Sequence, residues 1–236
     1  MPDTVEAAKE SQKATSKKKS RVLVVDDHPV VREGLQTLID QESDLQVCAV
    51  AATSREAMTK VESAKPDLAI VDFTLNDDED GIGLIKALRA KHAELPILVL
   101  SIHDETIYAE RALRAGANGY LMKDEPTSKV VDALRKILKG DISVSDKMAG
   151  RLLQRMAGQG KAATGNPVEQ LSDRELQVFR WIARGFGTRQ IAGKLGLSIK
   201  TIETYRENIK RKLDLHSGVE LVRHAVLWST GEKSNS

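Results

Sequence analysis

Cysteine is almost missing: Cys48 stands alone in 236 residues. One thiol permits no internal disulfide and no cysteine cluster for zinc. Long apolar runs are missing too. No window approaches the ~18 uninterrupted apolar residues of a membrane-spanning helix, so no membrane association is expected. The first twenty residues, MPDTVEAAKESQKATSKKKS, hold no apolar core of the secretory kind. Their polar, lysine-rich make-up reads as a disordered basic arm over 1–20, an unstructured leader rather than a DNA-contacting one. Cytoplasmic residence is the consistent expectation. Internal repeats are absent. Net charge is nearly absent as well: 36 Lys+Arg against 34 Asp+Glu leave +2, which predicts no strong pull toward a polyanion for the chain as a whole.

That balance is a cancellation. Residues 1–20 carry 5 basic and 3 acidic side chains, net +2. Residues 21–147 carry 16 and 23, net −7, and residues 148–236 carry 15 and 8, net +7. An acidic body is joined to a basic one, and two such bodies are expected to attract each other.

From residue 21, short apolar runs alternate with helical spacing. The runs are Val22–Val25, Val47–Val50, Leu68–Val71, Ile97–Leu100 and Gly119–Met122. Between them, apolar residues recur near every 3.6 positions over Val30–Asp40, Arg55–Ala64, Gly81–Lys91, Glu105–Ala115 and Thr127–Leu138. Runs apolar on both faces, separated by helices, predict an α/β domain: a doubly wound, five-stranded parallel sheet covered on both sides. Gly116 and Gly140 stand where helix C-caps are expected. After Gly140 a further helix fits Ser145–Met156, followed by the Gly-rich, flexible Ala157–Pro167. Ser172-Asp173-Arg174-Glu175 is a capping box opening a helix with Leu176, Phe179, Ile182 and Ala183 on one face, ending at Gly185. Thr188 opens a short helix to Leu195. Gly196-Leu197-Ser198 makes a tight turn, and Ser198 caps a helix reaching Leu213. A last helix runs from Ser217 to Trp228. This second domain is smaller and all-α.

In a doubly wound sheet, functional groups gather beyond the carboxyl ends of the strands. Those ends read Asp26-Asp27, Asp72, Ser101 and Lys123. Charged groups closing apolar runs are costly unless they serve a site. Clustered carboxylates suit a hard cation and predict Mg²⁺. A carboxylate beside that cation is a nucleophile toward phosphoryl groups, with Lys123 and Ser101 holding the phosphoryl oxygens. The motifs VLVVDDHP, LAIVD, ILVLS and GYLMKD over residues 21–139 resemble the receiver domain of bacterial two-component response regulators. The resemblance implies that Asp72 is the phospho-acceptor. It implies that Asp26, Asp27, Asp72 and the backbone carbonyl of Thr74 surround Mg²⁺, and that Ser101 and Tyr120 act as the switch, with Lys123 beside them. Three features depart from it: Asn76 where the family usually has proline, in a loop about one residue longer and enriched by Asp77–Asp80; Ile102 where a smaller residue is common; and Asp124 after the lysine. Ile102 is expected to narrow access for phosphodonors, and the acidic loop is read as solvated rather than as a second cation site.

Two helices joined by a glycine turn, the second rich in polar and basic residues, form the helix-turn-helix pattern. Ile202, Ile209 and Leu213 make its inward stripe; Lys200, Thr201, Glu203, Thr204, Arg206, Glu207, Lys210 and Arg211 face outward. The segment LSDRELQVFRWIARGFGTRQIAGKLGLSIKTIETYRENIKRKL resembles the LuxR-type DNA-binding domain, in the order found in NarL/FixJ-type regulators. That resemblance places base contacts on Glu203, Thr204 and Glu207. It places backbone contacts on Ser198, Lys200, Thr201, Tyr205, Asn208 and Lys212. It also implies a homodimer through the last helix, where Val219, Val222, Val226 and Trp228 offer apolar surface; packing within one subunit is the equal alternative.

The expected organisation is a basic arm at 1–20, a receiver domain at 21–140, a linker at 141–170 and a helix-turn-helix domain at 171–230. The expected function is a DNA-binding regulator of transcription, not an enzyme beyond its own phosphotransfer and dephosphorylation. A partner histidine kinase would phosphorylate it with Mg²⁺, and double-stranded DNA would be its target. Two alternatives remain open: a Mg²⁺-dependent phosphotransferase or phosphatase, and a receiver-like domain that is not phosphorylated, with DNA binding controlled by dimerisation or another signal.

Overall fold

The structure, a computed structural model, describes residues 18–75, 79–157 and 166–234. The expected arm up to residue 17, the acidic loop at 76–78 and the Gly-rich stretch at 158–165 lie outside them. Seven strands follow in chain order: β1 Ser20–Val25, β2 Leu45–Ala51, β3 Leu68–Asp72, β4 Thr74–Leu75, β5 Glu79–Asp80, β6 Ile97–Ser101 and β7 Gly119–Met122. Five of them build one sheet in the order β2-β1-β3-β6-β7, with every pairing parallel. The crossover helices are α1 Pro29–Asp40, α2 Ser54–Ala64, α3 Gly81–Lys91, α4 Glu105–Ala115 and α5 Thr127–Leu138.

Both faces of the sheet are covered, which is why its strands are apolar throughout instead of alternating. On β1, Val22 and Val24 enter one core with Leu35 and Ile39 of α1 and Leu134 and Ile137 of α5. Leu23 and Val25 enter the other, with Val61 of α2, Ile85 and Leu88 of α3 and Ala112 of α4. Gly116 closes α4 with φ of 112°, the left-handed conformation that glycine adopts without a Cβ penalty.

α6 Asp146–Met156 is capped by Ser145, and a 3₁₀ turn at Pro167–Gln170 leads into four helices. These are α7 Asp173–Ala183, α8 Thr188–Leu195, α9 Ile199–Lys212 and α10 Gly218–Ser234. The capping box at α7 is formed as expected. Ser172 Oγ accepts from the Glu175 amide at 3.4 Å, and Glu175 Oε2 accepts from the Ser172 amide at 2.7 Å. α7 is buried more widely than its expected stripe, because Val178 and Trp181 join Leu176, Phe179 and Ile182 inside. The second core cluster of the sheet continues through Met148 and Leu171 into these helices. Among the described residues, no helix is long and apolar enough to cross a membrane.

Three expectations need correcting. The chain beyond Asp72 is not simply a loop: Thr74↔Asp80 and Leu75↔Glu79 pair as a small antiparallel ribbon. The last helix runs past Trp228 to Ser234. Trp228 itself does not join the exposed apolar surface; its ring packs at a tilt 5.2 Å from that of Phe179 in α7, leaving Val219, Val222, Val226 and Leu227 outside.

Candidate functional site

Sheet register assembles the acidic pocket. Val25 pairs with Val71, so Asp26 and Asp72 leave adjacent strands side by side. Ser101 pairs with Met122, so Lys123 emerges next to Ser101. This is the point where the strand order reverses, the expected location of a site in an open sheet. Gly81 keeps the pocket floor close: its amide donates to the Phe73 carbonyl at 3.0 Å. A Cβ on Gly81 would lie 2.5 Å from that oxygen and 2.8 Å from the Asp72 carbonyl.

Asp26 and Asp72 are buried, at 1% and 4% exposure. Lys123 Nζ bridges them, donating at 2.6 Å to Asp26 Oδ2 and 2.9 Å to Asp72 Oδ2. Asp72 Oδ1 accepts from the Thr74 amide at 3.2 Å. Burial raises the Asp72 carboxyl above the ordinary range, against the opposing pull of Lys123. Burial pulls the Lys123 ammonium down, but Asp72 and Asp26 together hold it above its usual value. Asp27 joins Asp26 and Asp72 here, and with His28 their ligand atoms lie within 4.8 Å of one another. The oxygen-rich, acidic set fits a divalent hard cation.

Ser101 is fully buried; its Oγ accepts from the His103 amide at 3.0 Å, leaving its hydrogen for an acceptor. Tyr120 is turned inward, and its hydroxyl donates to the His103 carbonyl at 2.8 Å. Ile102 is 58% exposed, so most of its side chain faces solvent. Sequence reasoning missed two histidines here. His28 Nδ1 lies 2.8 Å from Asp27 Oδ1, and His103 Nε2 lies 3.0 Å from Thr74 Oγ1. Their positions after Asp26-Asp27 and Ser101 were the available signal.

The helix-turn-helix is equally concrete. Gly196 ends α8 with φ of 63°, and Ser198 caps α9, its Oγ accepting from the Thr201 amide at 3.0 Å. Ile202, Ile209 and Leu213 are buried as expected. Ser198, Lys200, Glu203, Thr204 and Glu207 are exposed together, while Thr201, Tyr205 and Asn208 are half-buried beside them. Lys212 is turned away from this group: its Nζ donates to Glu175 Oε2 at 2.6 Å.

Comparison with known proteins agrees with both halves. Residues 22–135 match the family described as response regulator receiver domain, and residues 169–225 match bacterial regulatory proteins, luxR family. The oxygen regulatory protein NreC of Staphylococcus carnosus is 34% identical over 209 residues, spanning 87% of this chain and 96% of that protein. A solved structure of RcsB from Salmonella typhimurium is similar at TM-score 0.69 and 25% identity, over 89% of this chain and 98% of that one. RcsB from Salmonella enterica serovar Typhimurium, bound to a promoter with phosphomimetic BeF3-, is similar at TM-score 0.68 and 25% identity, over 88% and 98%.

Proposed function

Because the chain belongs to the response regulators that join a receiver domain to a LuxR-type DNA-binding domain, we propose that Asp72 is its phospho-acceptor and that phosphorylation controls binding to double-stranded DNA. The observation that carries this is the Lys123 bridge between Asp26 and Asp72, at 2.6 and 2.9 Å. An ammonium fixed on a buried carboxylate stands ready for the charge of a transferred phosphoryl group.

The division of labour follows from the side chains. A histidine kinase presents a phosphoryl group on imidazole; an Asp72 oxygen attacks phosphorus, an O–P bond forms and the P–N bond breaks. Lys123 then pairs with a phosphoryl oxygen, and the Ser101 hydroxyl donates to another. Asp26, Asp27, Asp72 and the Thr74 carbonyl would hold Mg²⁺, and the ion would supply positive charge for the transferring phosphoryl group. Movement of Ser101 toward the phosphoryl group would pull on His103, whose carbonyl holds the Tyr120 hydroxyl, so Ser101 and Tyr120 act as a linked switch.

The receiver domain spans 21–140, the linker 141–170 and the DNA-binding domain 171–230. In the latter, Glu203, Thr204 and Glu207 read base edges, Glu accepting from a cytosine amine and Thr meeting a thymine methyl. Ser198, Lys200, Thr201, Tyr205 and Asn208 fix the phosphate backbone, joined by Lys212 once it leaves Glu175. The exposed Val219, Val222, Val226 and Leu227 of α10 supply the homodimer contact. The promoter-bound RcsB with BeF3- supports the coupling of phosphorylation to DNA, and the place of work is the cytoplasm. The test is Mg²⁺-dependent labelling by acetyl phosphate, read as intact mass, in wild type and Asp72→Asn. Wild type gains one phosphoryl group and Asp72→Asn gains none; a full-level label on Asp72→Asn overturns the assignment.

A further inference from the structure

One side chain of the DNA-binding half reaches the phosphorylation pocket. Arg180, near the C-terminal end of α7, donates through Nη2 to Thr74 Oγ1 at 3.3 Å, and the same nitrogen lies 3.1 Å from His103 Nε2. Thr74 and His103 are also bonded to each other, at 3.0 Å. The two residues it ties are not incidental to the site. The Thr74 amide holds Asp72 Oδ1 and the His103 amide holds Ser101 Oγ. The guanidinium also lies 5.9 Å from the ring centre of Tyr108, which packs edge-on against Phe73 next to Asp72.

This placement is held by its own contacts. Asp173, at the start of α7, pairs with Arg111 of α4 and Lys86 of α3, each at 3.1 Å. Arg111 also donates to the Leu171 and Glu169 carbonyls at 2.5 and 3.1 Å. Docking through α7 leaves Lys200, Glu203, Thr204 and Glu207 exposed, so it does not act by covering the reading face of α9. Its reach is toward the chemistry of the receiver.

We infer that Arg180 is a positioning residue of the phosphoryl-transfer site, supplied by the DNA-binding domain, and that it prolongs the life of the phosphoryl group on Asp72. The inference rests on Asp72 being the acceptor. Hydrolysis requires a water oxygen to attack phosphorus while the bond to the Asp72 oxygen breaks, releasing inorganic phosphate and the carboxylate. That water must pass the side chains at the rim of the pocket. Thr74 and His103 flank the pocket through their amide hydrogen bonds to Asp72 and Ser101, and Arg180 ties them to α7. Without the guanidinium both side chains gain rotamer freedom and the approach opens.

The test uses the full chain, labelled with acetyl phosphate and Mg²⁺, then freed of donor, with loss of the phosphoryl mass followed in time. Arg180→Ala is expected to shorten the half-life at least threefold, and Arg180→Lys to restore most of it. Asp173→Asn serves as the docking control: Arg111 retains its carbonyl contacts, so the half-life stays within twofold of wild type. Equal half-lives in wild type and Arg180→Ala overturn the inference and leave Asp72 as acceptor. A clearly greater shortening in Asp173→Asn than in Arg180→Ala also overturns it, assigning the effect to docking as a whole. Failure of wild type to take label overturns the acceptor reading itself, and this inference with it. Melting curves of each variant, expected to match wild type, exclude misfolding as the cause.

Discussion

Asp72 is held in a conflict between burial and charge. Its carboxyl is buried, and burial raises its pKa because the ionised form loses water; Lys123 offsets this in part. Its folded pKa therefore lies above the ordinary 3.8, and the folded state binds that proton more tightly than the unfolded chain does. Ionising Asp72 therefore lowers stability as pH rises from 3.8 through the folded value, and the deficit is complete above it. Asp72→Asn keeps an acceptor for the Thr74 amide and leaves Lys123 its bond to Asp26, while removing the buried charge. At neutral pH this variant should melt above wild type, with the gap closing as pH falls below 3.8. A lower melting temperature at neutral pH would show that Asp72 stabilises the fold instead of serving the site. The residues around it were unequally legible. Asp26, Asp27, Asp72, Ser101 and Lys123 announce themselves as polar closures of apolar runs. His103 does not, because its role depends on a side-chain contact with Thr74, 29 positions away in the chain.

At the scale of elements, α7 carries three duties on one short stretch. It opens with the capping box, it packs Phe179 against α10, and it presents Arg180 to the receiver. Glu175 is central to the first duty and links α7 to α9 through Lys212 at 2.6 Å. Burial works to raise the Glu175 carboxyl, but Lys212 and the Ser172 amide outweigh it and hold the group below its ordinary 4.5. A depressed carboxylate contributes stability that is fully present above 4.5 and is lost as pH falls through the folded value. Glu175→Gln should therefore lower the stability of the helical domain at pH 7 by about 1–3 kcal/mol, the usual cost of breaking a buried charge-assisted hydrogen bond. Chemical denaturation at pH 7 and pH 3 checks it: a difference from wild type that persists undiminished at pH 3 would refute the assignment to the carboxylate. Element boundaries were largely legible. Helices Gly81–Lys91, Glu105–Ala115 and Thr127–Leu138 match their sequence periodicity. The β4–β5 ribbon was not, since two-residue strands carry no period. The inward turn of Trp228 was not either, since an aromatic at helical spacing reads the same whether it meets a partner subunit or its own Phe179.

At the scale of the whole molecule, local pairing does not simply follow net charge. A body of net −7 and one of net +7 were expected to attract as opposites, yet the ion pairs that join them run both ways. Arg111 and Lys86 of the acidic half supply the cations, and Asp173 of the basic half supplies the anion. Arg155 of α6, paired with Glu110 of α4, has the sign expected from the totals. Net charge acts over distances at which salt screens it, within about 10 Å at 0.1 M, whereas docking is decided by contacts near 3 Å. Arg111 is only 11% exposed, so a cation placed opposite it would meet like charge with little water to screen it. Asp173→Lys puts a third cation beside Arg111 and Lys86 while raising the net charge of the basic half, the change that bulk attraction would welcome. The two accounts then predict opposite outcomes in solution scattering. If local pairing governs, Asp173→Lys increases the radius of gyration and shortens the life of the Asp72 phosphoryl group by withdrawing Arg180 from Thr74 and His103. If net attraction governs, the radius of gyration is unchanged or falls. Since α9 keeps Lys200, Glu203, Thr204 and Glu207 exposed in the docked form, DNA affinity of the unphosphorylated Asp173→Lys chain should stay within a few fold of wild type, which separates the two roles proposed for the helical domain: contact with DNA through α9, and custody of the phosphoryl group through α7.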